Sequence, residues 1–192
     1  APVTIRTRRG EHTVSVDEQP HKANLEKIPQ LRPAFAENGT ITPANSSSIS
    51  DGASALLLAN EAAVEAHGLT ARARIVAHSR NSLAPEAFTL APIGAAEDVL
   101  AKAGWTVADV DLWEINEAFA MVTMLTMDAL KLDPNCVNVH GGACAQGHPI
   151  GSTGSRIIVT LMHALEHYGK KRGVAALCIG GGEATAVAIE LV

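Results

Sequence analysis

Between residues 53 and 192, short apolar runs and helix-like stretches take turns along the chain, and this alternation is the strongest limit on the fold. Helical patterns are read over residues 53–67, 94–103, 117–130 and 152–168, and strand patterns over 73–79, 111–115, 137–139, 174–179 and 184–192. Alternation of this kind builds a mostly parallel or mixed sheet with helices on both faces. The last two strands, joined by a glycine turn, add an antiparallel hairpin. The fold class expected is therefore α/β, a layered αβα arrangement around a mixed five-stranded sheet. Hydrophobic residues make up 47% of the chain and aromatics only 3%, so the core must be aliphatic and rich in alanine. At 192 residues there is room for one domain or slightly more.

Local patterns sharpen some of these elements. Residues 53–67 are nearly all alanine and leucine, with Glu61 and Glu65 on one wet face and Gly68 where a left-handed C-cap is favoured, which predicts a helix buried on most sides. Residues 111–115 alternate charged with apolar side chains, as a strand near a sheet surface does. The helix over 117–130 puts Ala118, Val122, Leu125 and Ala129 on one stripe, and the one over 152–168 turns Ile157, Leu161 and Leu165 inward. Upstream, residues 3–7 and 13–16 read as strands around the Arg9-Gly10 turn, and 17–32 as irregular or briefly helical surface. Phe35 follows Pro33 and either plugs a small local core or faces a ligand. The Ser-, Thr- and Asn-rich residues 40–52 either lead into the next helix or present hydroxyls and amides to a ligand.

Composition excludes several classes. The net charge is -5, and the only basic clusters, Arg6 to Arg9 and Lys170 to Arg172, are too short for a nucleic-acid surface. No apolar run approaches the roughly 20 residues of a spanning helix, and residues 1–10 lack the apolar segment of a signal peptide. The chain opens without a methionine and is expected to be a fragment or a processed product. Three cysteines without paired spacing suggest reduced thiols, hence a cytoplasmic protein. The eight histidines are scattered and no metal-ligand spacing occurs, so no metal and no cofactor are expected.

The chemistry collects at three strand ends: Asn116-Glu117-Ala118-Phe119, Gly147-His148-Pro149-Ile150-Gly151 and Cys178-Ile179-Gly180-Gly181-Gly182. In open α/β sheets sites gather at the carboxyl ends of strands. A lone His is more often structural and a lone buried Cys more often inert, but glycines on both sides of the His and after the Cys favour a site. A thiol beside an imidazole can shuttle protons or act as a nucleophile. Asn116 could hold a water that, with the His148 imidazole, donates to a carbonyl becoming an oxyanion. Backbone N–H groups of Gly180 to Gly182 could serve a second oxyanion.

In this order and spacing the three motifs resemble the C-terminal signatures of the thiolases, with the acetyl-CoA acetyltransferases the nearest subgroup. The resemblance runs along the whole chain but covers only the C-terminal half of such an enzyme. It implies a thiolase-like fold, with residues 1–50 as the end of a loop domain and linker and 51–192 as the C-terminal domain. It also implies that the acyl-carrying cysteine lies in the N-terminal half, outside this sequence. The roles then shift: His148 activates that cysteine and forms an oxyanion hole with a water on Asn116. Cys178 becomes the general acid/base for the α-proton of acetyl-CoA, and the Gly180 N–H joins a second hole. Phe35, Ser47, Ala118 and Phe119 match positions lining bound CoA. The sequence departs from the pattern at Glu183-Ala184, where Met-Gly or Gln-Gly is frequent, at Gly94, where a second proline is common, and at His140, often Asn.

The function implied is Claisen condensation of acetyl-CoA or thiolytic cleavage of 3-ketoacyl-CoA. The partners implied are CoA thioesters as substrates, the missing N-terminal half, and further copies of the complete enzyme as a dimer or tetramer. Two other readings stand beside it: a non-catalytic CoA-ester-binding or structural half, and a Cys-His hydrolase with Cys178 as nucleophile.

Overall fold

The computed structural model describes the backbone of residues 1–192 and every side chain except that of Lys22. Its main sheet has four strands, β3 (Ala73–Ser82), β4 (Leu112–Ile115), β5 (Arg172–Ile179) and β6 (Glu183–Leu191), following a separate hairpin of β1 (Val3–Thr7) and β2 (Gly10–Val14). The strands lie side by side in the order β3-β6-β5-β4, with β4 parallel to β5 and the other two pairings antiparallel. The sheet is mixed as expected, but it has four strands and not five.

The fifth strand, expected at 137–139, survives as a single bridge from Val137 to Trp113. The reason is Asn138, which sits in the left-handed region at φ 47°. Its side-chain Oδ1 accepts from the Ile115 N–H at 2.8 Å and its Nδ2 donates to the Ile115 carbonyl at 2.9 Å. One carboxamide thus takes the two hydrogen bonds that a fifth strand's backbone would have made to the edge of β4.

Five α-helices accompany the sheets: α1 (Glu61–Ala66), α2 (Ala91–Ala103), α3 (Ala120–Leu130), α4 (Ala143–Gln146) and α5 (Thr153–His167). Side chains alternate across β5 and β6. Val174, Ala176, Ala184, Ala186 and Ala188 pack under α2 and α3 with Ala95, Ala96 and Val99. Ala175 and Ile189 pack with Ile157, Leu161 and Leu165 of α5 on the other face. Helices therefore cover both faces, and the first core is dominated by alanine, as the composition requires. Helix α2 starts three residues earlier than the sequence suggests because Pro92 falls in its first turn, where a missing N–H costs nothing. The absent side chain of Gly94 makes room for Asn81, whose Nδ2 donates to the Ala91 carbonyl at 3.2 Å. The buried face of α3 is Val122, Thr123 and Thr126, whereas Ala129 of the expected stripe is exposed.

The largest departure lies at 53–67. Only Glu61–Ala66 is helical, started by Asn60, whose side chain accepts from the Ala63 N–H at 2.9 Å. Residues 51–60 carry no regular structure, and Leu57 and Leu58 are 83% and 71% exposed. An unbroken apolar run has no period that tells a strand from a helix. The decisive signal was the Asn60 cap, which starts a helix rather than interrupting one. Residues 51–60 are held where Gly52 lies against the Pro149 ring and where Ser54 Oγ lies 2.7 Å from Ser152 Oγ and 2.6 Å from Ser155 Oγ.

Candidate active site

His148 is held by two flanking segments. Its backbone N–H donates to the Ser48 carbonyl at 2.8 Å, and it bridges Ile49 in parallel. Gly147, at φ 86°, lets the chain turn here, and any side chain on it would strike Ser50. The imidazole is then fixed from α5. Thr153 Oγ1 lies 2.7 Å from His148 Nδ1 and 3.0 Å from the Pro149 carbonyl. A hydroxyl has one proton. The Pro149 carbonyl also accepts from the Ser152 and Thr153 N–H groups; with the Thr153 hydroxyl donating to it as well, Oγ1 accepts from Nδ1–H. Neutral His148 therefore carries its lone pair on Nε2. Burial, aided by the Arg156 charge, holds this imidazole below its ordinary range, so it is an unprotonated base at neutral pH.

Asn116 follows β4 directly and is 2% exposed, with its N–H bonded to the Ala176 carbonyl of β5 at 2.9 Å. Its Oδ1 accepts from Arg156 Nη2 at 3.4 Å, and its Nδ2 is buried without a protein partner. Two residues earlier, Glu114 is also 2% exposed, not at a sheet surface as the alternating pattern suggested. Burial pushes its carboxyl up to about 8; Arg156 opposes the rise and Glu117 adds to it. Glu117 itself accepts from the Cys144 N–H at 3.0 Å and from Asn138 Nδ2 at 3.2 Å. Burial and that carboxylate together push the Cys144 thiol up to about 12, which leaves it an inert thiol.

Cys178 lies at the same end of the sheet. Ile115 pairs with Ala176, so Cys178 stands two residues beyond the last β4 pairing on the parallel neighbour. It is buried opposite Ala184, and burial raises its thiol. Among the described residues no hydrogen bond joins it to His148 or Asn116; register places its backbone just beyond the end of β4. Gly180 follows at the open turn, with nothing near the place a side chain would take.

The four residues expected to line CoA share one surface. Ser47 donates to the Ala118 carbonyl through both Oγ, at 3.0 Å, and its backbone N–H, at 3.1 Å. The Phe119 ring meets Phe35 at 5.9 Å and Phe88 at 6.2 Å between centroids, bringing together all three phenylalanines of the chain. Phe35 is 73% exposed, so it plugs no local core. The loop that carries Ser47 is the one that holds His148 through Ser48, which ties the two groups into one region. Thr153, Arg156 and Glu114 lie outside the three motifs, and Glu117, inside the first, was given no role. The available signals were polar residues on the inner face of an apolar strand and in the first turn of the helix after Gly151. Among the described residues no group of three or more His, Cys, Asp or Glu could hold a metal ion.

The fold thus sets the Asn116 amide and the Cys178 thiol at one end of a mixed αβα sheet, with the His148 imidazole on a loop braced by α5. The chain belongs to the thiolase family: residues 69–191 match the model "Thiolase, C-terminal domain" and residues 1–62 match "Thiolase, N-terminal domain". It is 47% identical to "Acetyl-CoA acetyltransferase, cytosolic" of Mus musculus, over 98% of this chain and 48% of that protein. To "3-ketoacyl-CoA thiolase, mitochondrial" of Bos taurus it is 43% identical, over 99% of this chain and 48% of that one. Among solved structures, the Bacillus anthracis acetyl-CoA acetyltransferase superposes with a TM-score of 0.94 at 41% identity, covering 100% of this chain and 49% of that chain. Human mitochondrial 3-ketoacyl-CoA thiolase gives 0.89 at 38% identity, again over 100% of this chain and 49% of the other. The chain thus spans about half the length of the relatives it matches.

Proposed function

We propose that this chain is the acid–base half of an acetyl-CoA C-acetyltransferase or 3-ketoacyl-CoA thiolase, whose other half supplies the acyl-carrying cysteine. His148 Nε2 takes the proton of that cysteine, whose sulfur attacks the 3-keto carbon. The bond between C2 and C3 then breaks, and the electron pair left on C2 is protonated by the Cys178 thiol, releasing acetyl-CoA. In condensation the Cys178 thiolate removes the same α-proton. Asn116 Nδ2 holds the water that, with His148, stabilises the thioester oxyanion, and the Gly180 N–H contributes to a second hole. Phe35, Ser47, Ala118 and Phe119 line the pantetheine arm of CoA. Every step assigned here is made by side chains and backbone, so the reading calls for CoA and its thioesters as substrates and for no cofactor.

The observation that carries the proposal is the Thr153 hydroxyl, which leaves the base on Nε2 of His148. It is tested by incubating the complete protein with acetoacetyl-CoA. The protein should become acetylated on a cysteine outside this chain, and His148→Ala should slow acetylation by roughly 10²- to 10⁴-fold. Acetylation on Cys178 would instead indicate hydrolase-type chemistry, and binding of CoA esters with no turnover would indicate a non-catalytic half.

The missing half is also the partner that covers residues 51–60. These residues expose Leu57 and Leu58 and fall within the match to the N-terminal model, which supports counting them with that half and placing the domain junction between 62 and 69. The complete enzyme is proposed to form a dimer or tetramer, which light scattering decides. A cytoplasmic location fits three free thiols and the cytosolic mouse relative, although the bovine relative is mitochondrial. No helix of the chain is long and apolar enough to cross a membrane among the described residues.

A further inference from the structure

We propose that Arg156 is a positioning residue for the Asn116 amide. The contacts stand by themselves; what the oriented amide does rests on the thiolase reading above. Alternation along β4 puts Leu112, which packs with α5, on the same face as Glu114 and Asn116. Arg156 reaches them from the first turn of α5. Its Nη2 lies 3.4 Å from Asn116 Oδ1 and its Nη1 lies 3.5 Å from Gln146 Oε1.

A guanidinium has donors only, so the atom facing it must be the amide oxygen. Gln146 is oriented in the same way, with Nε2 donating to the His140 carbonyl at 2.8 Å. Asn116 Nδ2 must therefore point away from Arg156, where it is buried and has no protein partner. A buried donor without a partner is costly unless something binds it, and here it is a ready contact for the oxygen of a water or thioester. With Arg156 gone, the amide is free to rotate by half a turn and present Oδ1, which repels a developing oxyanion. Thr153 and Arg156 stand three residues apart on the same side of α5. One helical turn thus sets the tautomer of His148 and the orientation of Asn116.

The test is made in the complete enzyme by thiolysis of acetoacetyl-CoA. Arg156→Met keeps the side-chain length and removes the donors. It should lower kcat by about 10-fold or more and leave KM within about threefold, the pattern of an interaction made only in the transition state. Arg156→Lys should fall between that variant and wild type, because one ammonium cannot reproduce the fork. In an Asn116→Ala background the Arg156→Met change should cost less than about threefold more, since no amide remains to be oriented. Wild-type kcat in Arg156→Met, or the same loss in both backgrounds, overturns the proposal. Should Arg156→Met not fold, the same comparison of backgrounds is made with Arg156→Lys. Failure of the thiolase reading shows itself separately, as no thiolysis by the wild-type enzyme.

Discussion

The hydroxyl of Thr153 lies 2.7 Å from Nδ1 of His148 and donates its own proton to the Pro149 carbonyl, which leaves the imidazole a single way to act as a base. Thr153 is fully buried, so Thr153→Val keeps its shape and removes the hydroxyl, which is both the acceptor for Nδ1–H and a donor to Pro149. The Nδ1–H then has no partner, and the tautomer with Nε2–H gains population. We expect kcat to fall by about 10-fold or more, within the range for impaired general base catalysis. Thr153→Ser should stay within about threefold. Equal losses in the two variants, read from steady-state thiolysis, would mean that packing and not the hydroxyl matters.

A second prediction concerns pH. His148 is held below its ordinary value, first by burial and then by Arg156, so protonation switches off the base only below the usual imidazole range. The acid limb of kcat/KM should accordingly lie below about 6.5. Arg156→Met removes one of the two causes and should move that limb toward higher pH. A limb that stays put, or moves lower, would separate Arg156 from the imidazole.

Stability should carry an opposite signature from Glu114. Its carboxyl is pushed up to about 8 in the fold against an ordinary value of 4.5, so between those values the folded state binds more protons than the unfolded one. Stability from this group is full below about 4.5 and is lost as pH rises through 8. Glu114→Gln mimics the neutral acid and cannot ionise, so denaturation midpoints should become flatter from pH 5 to 9. The gain over wild type should be greatest at pH 9. A variant less stable than wild type at pH 9 would show that Glu114 works as an anion.

Much of this was legible in the chain itself, and the parts that were not share a cause. The motifs carrying Asn116, His148 and Cys178 stood out because glycines next to reactive side chains have few structural uses, although the His148 loop follows helix α4 and not the strand expected before it. The helix ends at Gly104 and Gly169 could be read from C-cap chemistry. What misled was context that only a neighbour supplies. Residues 53–59 look helical because alanine and leucine fill all but one position, yet they run without helix and leave Leu57 and Leu58 exposed. The fifth strand was lost to a single carboxamide, on Asn138. Glu114 looked like a surface residue because alternation shows which residues share a face and not which face is wet.

Residues 51–60 support a prediction of their own. In this chain alone, amide exchange across Leu56, Leu57 and Leu58 should be as fast as in an unfolded peptide, because no ladder or helix protects them. In the complete enzyme the same amides should be among the slow ones. Hydrogen exchange with mass spectrometry reads both, and unchanged fast exchange in the complete enzyme would leave this segment without the proposed partner.

The central claim is that Cys178 moves the α-proton while another cysteine carries the acyl group, and it is tested most directly by separating those two steps in Cys178→Ala. The complete enzyme carrying this change is incubated with acetyl-CoA in D₂O, and enzyme acetylation and deuterium entry into the methyl group are followed together. The account predicts acetylation at nearly the wild-type rate with deuterium entry reduced by at least about 10²-fold. Deuterium entry at the wild-type rate, or loss of both steps to the same extent, would contradict it.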